Sequence, residues 1–88
     1  MRKLQFDSVA FQNYQEWIKT NPKIAIRIGE LINDILRDPF KGIGKPEPLK
    51  HQYQGYWSRR ITDEHRLIYT VLPDSIVVTS CKFHYSDL

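Results

Sequence analysis

The chain has 88 residues, a formal net charge of +3 and a single cysteine. This length predicts one domain over residues 1–88 with a single core, which excludes a deeply buried catalytic chamber and favours a shallow surface groove suited to a polymer. The lone Cys81 excludes an internal disulfide, and no apolar run is long enough for a signal peptide or a membrane span. We therefore expect a cytoplasmic protein with no membrane partner.

The first half of the chain predicts one strand followed by two helices. Lys3–Phe6 forms the opening strand, and Asp7 or Ser8 can cap the helix after it. Asn21-Pro22 separates the two helices, because proline is favoured at the first helical position, and Pro39 ends the second helix. Apolar residues recur at helical spacing at Ala10, Tyr14 and Trp17, and again at Ile24, Ile28, Leu31, Ile32, Ile35 and Leu36.

The second half begins with a stiff loop and continues as strands. Residues 39–50 contain three prolines and two glycines. Strands are predicted at about residues 55–62, 65–72 and 75–85, and their short links make them an antiparallel meander. The predicted fold is therefore α+β: an N-terminal strand, a two-helix hairpin and a three-stranded antiparallel meander. The helices pack on one face of this small sheet, and the other face is free for binding.

A basic segment with interleaved aromatic residues follows the second helix. Residues 41–66 carry six lysine or arginine side chains against three acidic ones, with Tyr53, Tyr56 and Trp57 among them. This composition suits phosphates and bases; a solvated basic face is the alternative. The candidates for contact with a nucleic-acid backbone are Lys45, Lys50, His51, Arg59 and Arg60.

Three residues could supply acid–base chemistry on RNA. Glu47 lies between two prolines that hold its backbone extended, which suits a positioned general base. Arg66 could stabilise a phosphate whose charge grows in the transition state, and His84 could protonate a leaving oxygen. Taken singly, each could instead be an ordinary surface or strand residue. This chemistry requires no metal and no cofactor, and Cys81 and the histidines lack metal-ligand spacing.

Three runs of sequence carry a resemblance to a known family. They are GKPEPLKH at 44–51, GYWSRRIT at 55–62 and EHRL at 64–67, together with the closing His84-Tyr85. With these runs, over nearly its whole length, the chain resembles the YoeB toxin family within the RelE superfamily. The resemblance implies a toxin that enters the ribosome and cleaves messenger RNA, in which a nucleotide's 2′-hydroxyl attacks its own 3′ phosphate.

The resemblance also implies residue roles and partners. Glu47 matches the catalytic glutamate and Arg66 the phosphate-stabilising arginine, while His84 and Tyr85 match the terminal histidine and tyrosine. It further implies a homodimer that a YefM-like antitoxin holds inactive, with the ribosome and messenger RNA as the other partners. Basic positions near the site are matched by Lys50, Arg59 and Arg60.

Two other functions stay open on the same scaffold. One is a non-catalytic inhibitor that binds a protein target such as gyrase, and the other is an RNA- or ribosome-binding module without activity. A trio of Glu47, Arg66 and His84 favours the nuclease, because a pure binder has no use for a base, an acid and a phosphate clamp.

The nuclease interpretation makes two geometric predictions. A two-residue turn that pairs Leu72 with Ser75 would place Arg66 and His84 on opposite faces, so we predict a link of odd length or a bulge that brings them together. Residues 86–88 extend beyond the family pattern and include Asp87, which would repel a phosphate. We therefore expect this tail to point away from the groove and to be loosely ordered.

Overall fold

A five-stranded mixed sheet forms the frame of the protein in a computed structural model that describes residues 1–88. The chain order of the elements is β1 (Lys3–Phe6), α1 (Ser8–Thr20), α2 (Pro22–Arg37), β2 (Glu47–Pro48), β3 (Trp57–Arg60), β4 (His65–Val71) and β5 (Ser75–His84). The spatial order is β1-β5-β4-β3-β2, with β1 parallel to β5 and the other pairs antiparallel. The predicted α+β fold with its opening strand, two helices and meander is confirmed.

The structure adds pairings and short elements that the sequence did not predict. The opening strand joins the meander as a parallel partner of β5, and Glu47–Pro48 adds a fifth, two-residue strand at the opposite edge. Short 3-10 helices form at His51–Tyr53 and at Tyr85–Asp87. No helix is both long and apolar enough to cross a membrane.

The core lies between the helices and one face of the sheet. The predicted stripe on α2 is buried at Ile28, Leu31, Ile32 and Ile35, whereas α1 buries only two side chains, Ala10 and Trp17. The sheet contributes Leu67 and Tyr69 from β4 and Ile76 and Val78 from β5, which alternate as the two-residue period of a strand requires. Cys81 joins them three residues after Val78, because a register shift in β5 lies between the two.

Cys81 is part of this core and not a reactive group. Its side chain is fully buried, and its Sγ lies 3.1 Å from the carbonyl oxygen of Ala10. Burial raises the pKa of the Cys81 thiol to about 12, so the reactive thiolate does not form near neutral pH.

Arg59 is fully buried, and its guanidinium joins β3 to α2 and to the loop after α2. One nitrogen, Nη1, donates to Asp34 Oδ2 at 2.5 Å and to the Ile43 carbonyl at 3.1 Å. The other, Nη2, donates to the carbonyls of Asp38 and Lys41. The predicted contact between Arg59 and RNA is therefore wrong, because no part of its side chain reaches the surface.

Glycine permits the loop to approach this buried ion pair. Gly42 has φ +134°, in a region that other residues rarely adopt. A Cβ atom at this position would overlap the carboxylate of Asp34, the residue that holds Arg59. The loop can therefore lie against α2 only because residue 42 has no side chain.

We predict that Arg59→Ala lowers the free energy of unfolding by about 3–5 kcal/mol, because it leaves the Asp34 carboxylate without its buried partner. Urea denaturation followed by circular dichroism measures the change. The matched control is Arg60→Ala, since Arg60 is exposed and its loss should change stability by no more than about 0.5 kcal/mol. Equal losses in the two variants would show that the buried ion pair has no special role.

Candidate active site

The sheet face opposite the helices carries an open hollow of about 150 Å³. Strand pairing explains how its side chains meet: Glu47 pairs with Ser58, and Arg60, two residues further along β3, pairs with Arg66. Residues that pair across strands, or that lie two apart on one strand, share a face. The hollow, called the polar hollow below, is lined by Lys45, Glu47, Ser58, Arg60, Arg66, Tyr85 and Leu88.

Glu47 is fixed in position by its backbone. It pairs with Ser58 as a strand, so the extended conformation predicted from its two flanking prolines is confirmed. Hydrogen bonds anchor the segment on both sides: Arg60 N–H donates to the Gly44 carbonyl at 2.7 Å, and Leu49 N–H donates to the Tyr56 carbonyl at 2.9 Å. The Glu47 side chain is exposed and forms no salt bridge, so its carboxylate is free to accept a proton.

Arg66 is held at one nitrogen and free at the others. Its Nη1 donates to the carbonyls of Thr62, Asp63 and His65, at 2.9, 3.3 and 3.2 Å. Its guanidinium carbon lies 5.8 Å from the centre of the Tyr85 ring, in a cation–π arrangement. Because Nε and Nη2 donate to no protein group, Arg66 can present them to an oxyanion while the turn carbonyls hold it in place.

The remaining predicted basic residues divide between two hollows. Lys45 and Arg60 line the polar hollow with Glu47. Lys50 and His51 line an adjoining hollow of about 240 Å³ that shares Glu47 and Leu88 with the first. Four of the five predicted nucleic-acid contacts therefore lie beside Glu47, and only the buried Arg59 does not.

His84 lies outside the polar hollow. Its ring stacks on Tyr85 at 4.9 Å and packs edge-on against His65 at 6.0 Å. His65 in turn packs against Trp17 of α1, and burial lowers the pKa of the His65 imidazole. His84 is thus at the edge of the helix side of the sheet, while Tyr85 lines the hollow.

The pairing of β4 with β5 explains this placement. The strands are joined by the two-residue turn Pro73-Asp74, and the register then shifts twice, so the predicted bulge is present. Each shift moves the pairing by one residue along β5. One shift would change which β5 side chains share a face with β4 side chains, but the second shift reverses that change. Arg66 therefore pairs with Phe83 and His84 pairs with His65. The prediction that Arg66 and His84 share a face is wrong.

The expected position of the tail is also wrong. Tyr85 N–H donates to the Glu64 carbonyl at 2.9 Å, and Tyr85–Asp87 turns as a 3-10 helix instead of extending away. His84 Nδ1 accepts the Ser86 N–H at 3.3 Å and lies 2.7 Å from Ser86 Oγ. This turn brings the apolar Leu88 into the wall of the polar hollow.

Sequence reasoning missed two groups in the wall of the polar hollow. Ser58 is buried between the strands that carry Glu47 and Arg66. Ser58 directly precedes Arg59 on β3, so the two side chains face opposite ways and that of Ser58 faces outward. This placement can be predicted once the strand is known. Leu88 had no such signal, because its place depends on the turn at Tyr85. No group of three or more histidine, cysteine or acidic side chains is arranged to hold a metal ion.

Comparison with known proteins identifies the family. A family model described as the YoeB-like toxin of bacterial type II toxin–antitoxin systems matches residues 6–85. Toxin YoeB of Escherichia coli strain K12 is 49% identical over 83 residues, which cover 94% of this chain and 99% of that protein.

Solved structures show the same similarity. The YoeB dimer from Staphylococcus aureus superposes with a TM-score of 0.88 at 44% identity, covering 96% of this chain and 98% of that one. A heterotetrameric YoeB–YefM complex from the same organism gives 0.86 at 43% identity, with 97% and 99% covered. This chain therefore belongs to the YoeB-like toxin family of bacterial type II toxin–antitoxin systems.

Proposed function

We propose that this chain is a metal-independent endoribonuclease toxin that cleaves messenger RNA on the ribosome. The observation that carries the proposal is the meeting of Glu47 and Arg66 in one open hollow with two further cations. RNA supplies its own nucleophile, the 2′-hydroxyl, so the protein needs only a base, positive charge and an acid.

The proposed reaction uses the polar hollow as follows. Glu47 takes the proton from the 2′-hydroxyl, whose oxygen attacks the adjacent phosphorus. Arg66 stabilises the charge that grows on the phosphate oxygens, and Lys45 and Arg60 hold the RNA backbone. The bond to the 5′-oxygen of the next nucleotide then breaks, and this oxygen takes up a proton.

The stacked pair His84 and Tyr85 is the proposed source of that proton. Tyr85 already lines the hollow, and histidine is the side chain that most often serves as a general acid in enzymes. We assign the acid role to His84 and the positioning of the RNA to Tyr85. Because His84 lies on the face of β5 opposite Arg66 and its Nδ1 is held by Ser86, the strand end and the tail must rearrange around bound RNA before His84 can reach the leaving oxygen.

The proposed partners follow from the relatives. The similar Staphylococcus aureus proteins form a dimer and a heterotetrameric YoeB–YefM complex, so we propose a homodimer and a YefM-like antitoxin for this chain. The exposed Arg60 and half-buried Arg66 offer positive charge to an acidic antitoxin segment that is disordered when free. Such a segment would exclude RNA by occupying the same charges.

We predict that Glu47→Gln lowers messenger RNA cleavage by about 10²–10⁴-fold, the usual contribution of a general base, while co-sedimentation with ribosomes persists. Primer extension on messenger RNA from a translation extract measures the cleavage. The matched control is Glu30→Gln, an exposed glutamate on α2 outside the hollow. If the Glu47 variant cleaved at the wild-type rate, Glu47 would have no catalytic role. If the wild-type protein bound RNA without cleaving it, the protein would instead be a binding module.

Deleting residues 86–88 should leave cleavage at or above the wild-type rate. The deletion removes Leu88 from the hollow and releases His84 Nδ1 from Ser86. Deleting His84 and Tyr85 as well should abolish cleavage. The test is to compare the single-turnover cleavage rates of the two truncated proteins with that of the full chain. A loss of activity in the shorter deletion would mean that the tail shapes the site.

Binding of the antitoxin should abolish cleavage, and salt should weaken the complex because its contacts include exposed charges. Titration of a YefM-like antitoxin against a fixed amount of toxin, at two salt concentrations, measures both effects. If the isolated complex cut messenger RNA as fast as free toxin, the antitoxin would bind elsewhere.

A further inference from the structure

A second and larger hollow of about 350 Å³ lies on the same outer face of the sheet. Its floor is Ile68 on β4 and Phe83 on β5, and it is closed by Tyr53, at the end of the 3-10 helix, and by Tyr56, directly before β3. The Tyr53 and Phe83 rings meet edge to face at 5.6 Å. These four residues define what we call the aromatic hollow.

The aromatic hollow begins one side chain away from the polar hollow. Phe83 is the cross-strand partner of Arg66, and such partners have Cβ atoms about 4.5–5.5 Å apart on one face. Ile68 lies two residues beyond Arg66 on the same strand, and Leu88 lines both hollows. A group bound at Arg66 can therefore continue directly over Phe83.

The chemistry of the lining favours an uncharged flat ring. No lysine, arginine or histidine lines the aromatic hollow, so it is a poor site for a phosphate. Aromatic side chains bind nucleobases by stacking, independently of the phosphate charge. Four other polar side chains of the lining, Asp7, Gln52, Thr79 and Ser80, can accept from or donate to the edge of a base.

We propose that the aromatic hollow binds the base of the nucleotide next to the phosphate held by Arg66. This inference rests on the proposed function, since it places the RNA phosphate at Arg66. The two hollows together then recognise one nucleotide, the polar hollow by charge and the aromatic hollow by stacking. The identity of that base would contribute to the choice of the cleavage position.

Nuclear magnetic resonance titration of the purified full chain tests the proposal without requiring cleavage. The probes are AMP, CMP and ribose 5-phosphate, which carries a phosphate but no base. Ribose 5-phosphate should shift signals of the polar hollow, those of Arg66 among them, and leave the ring protons of Tyr53 and Phe83 unchanged, whereas AMP and CMP should shift both sets. Identical patterns and affinities for all three probes would overturn the proposal.

A substitution in the aromatic hollow distinguishes the contribution of the base to binding from that of the phosphate. Phe83→Leu should weaken nucleotide binding by about 10-fold, within the range that stacking of one base on an aromatic ring contributes, and should leave ribose 5-phosphate binding unchanged. The matched control is Phe11→Leu on α1, an exposed phenylalanine away from both hollows. If Phe83→Leu does not fold, Tyr53→Leu tests the same stacking surface. Loss of affinity for all three probes would mean a structural role for the ring.

Cleavage mapping in a translation extract then separates this proposal from the proposed function. Phe83→Leu should cut with a weaker preference for the base beside the cleaved phosphate, while Phe11→Leu keeps the wild-type pattern. Absence of any cutting by the wild type would contradict the nuclease, even if nucleotides bind in the titration. Ring shifts caused by a YefM-like antitoxin and by no nucleotide would instead assign the aromatic hollow to the protein partner and overturn the proposal.

Discussion

The placement of the candidate site depends on one buried ion pair, Arg59 with Asp34. Arg59 ties β3 to α2 and binds three carbonyl groups of the loop that follows. Burial alone would raise the pKa of Asp34, but hydrogen bonds from Ile43 N–H, Arg59 and Arg37 outweigh it and lower the pKa to about 2. Asp34 is therefore charged at neutral pH, and the loop leads from this fixed point directly to Gly44 and Glu47.

Alternation along β3 gives two neighbouring arginines different surroundings. Arg59 points into the core, where it pairs with Leu67 across the sheet, and Arg60 points into the polar hollow, where it pairs with Arg66. The strand has a period of two residues, so adjacent side chains must face opposite ways. On the same strand, the guanidinium of Arg59 therefore stabilises the fold, and that of Arg60 is exposed to solvent.

The sequence predicted those features that depend on local pattern. Apolar periodicity located both helices, and two flanking prolines located an extended Glu47. Composition, however, marks Arg59 and Arg60 as equally basic and cannot tell which face each occupies. The place of His84 depends on two register shifts between β4 and β5, and such shifts leave no signal in a single sequence. The turn at Tyr85, which sets the tail, likewise depends on a backbone contact with Glu64.

The open geometry of the polar hollow gives a physical reason for the proposed dependence on the ribosome. Glu47, Lys45 and Arg60 are all exposed, because a domain of this size has no second layer to cover them. In water, charges at such positions are screened within about 8 Å, and a carboxylate keeps its hydration shell. Acid–base and electrostatic catalysis strengthen when water is excluded from the site. Under the proposed function, a large RNA-rich surface laid over the open hollow would exclude that water and help to fix the substrate.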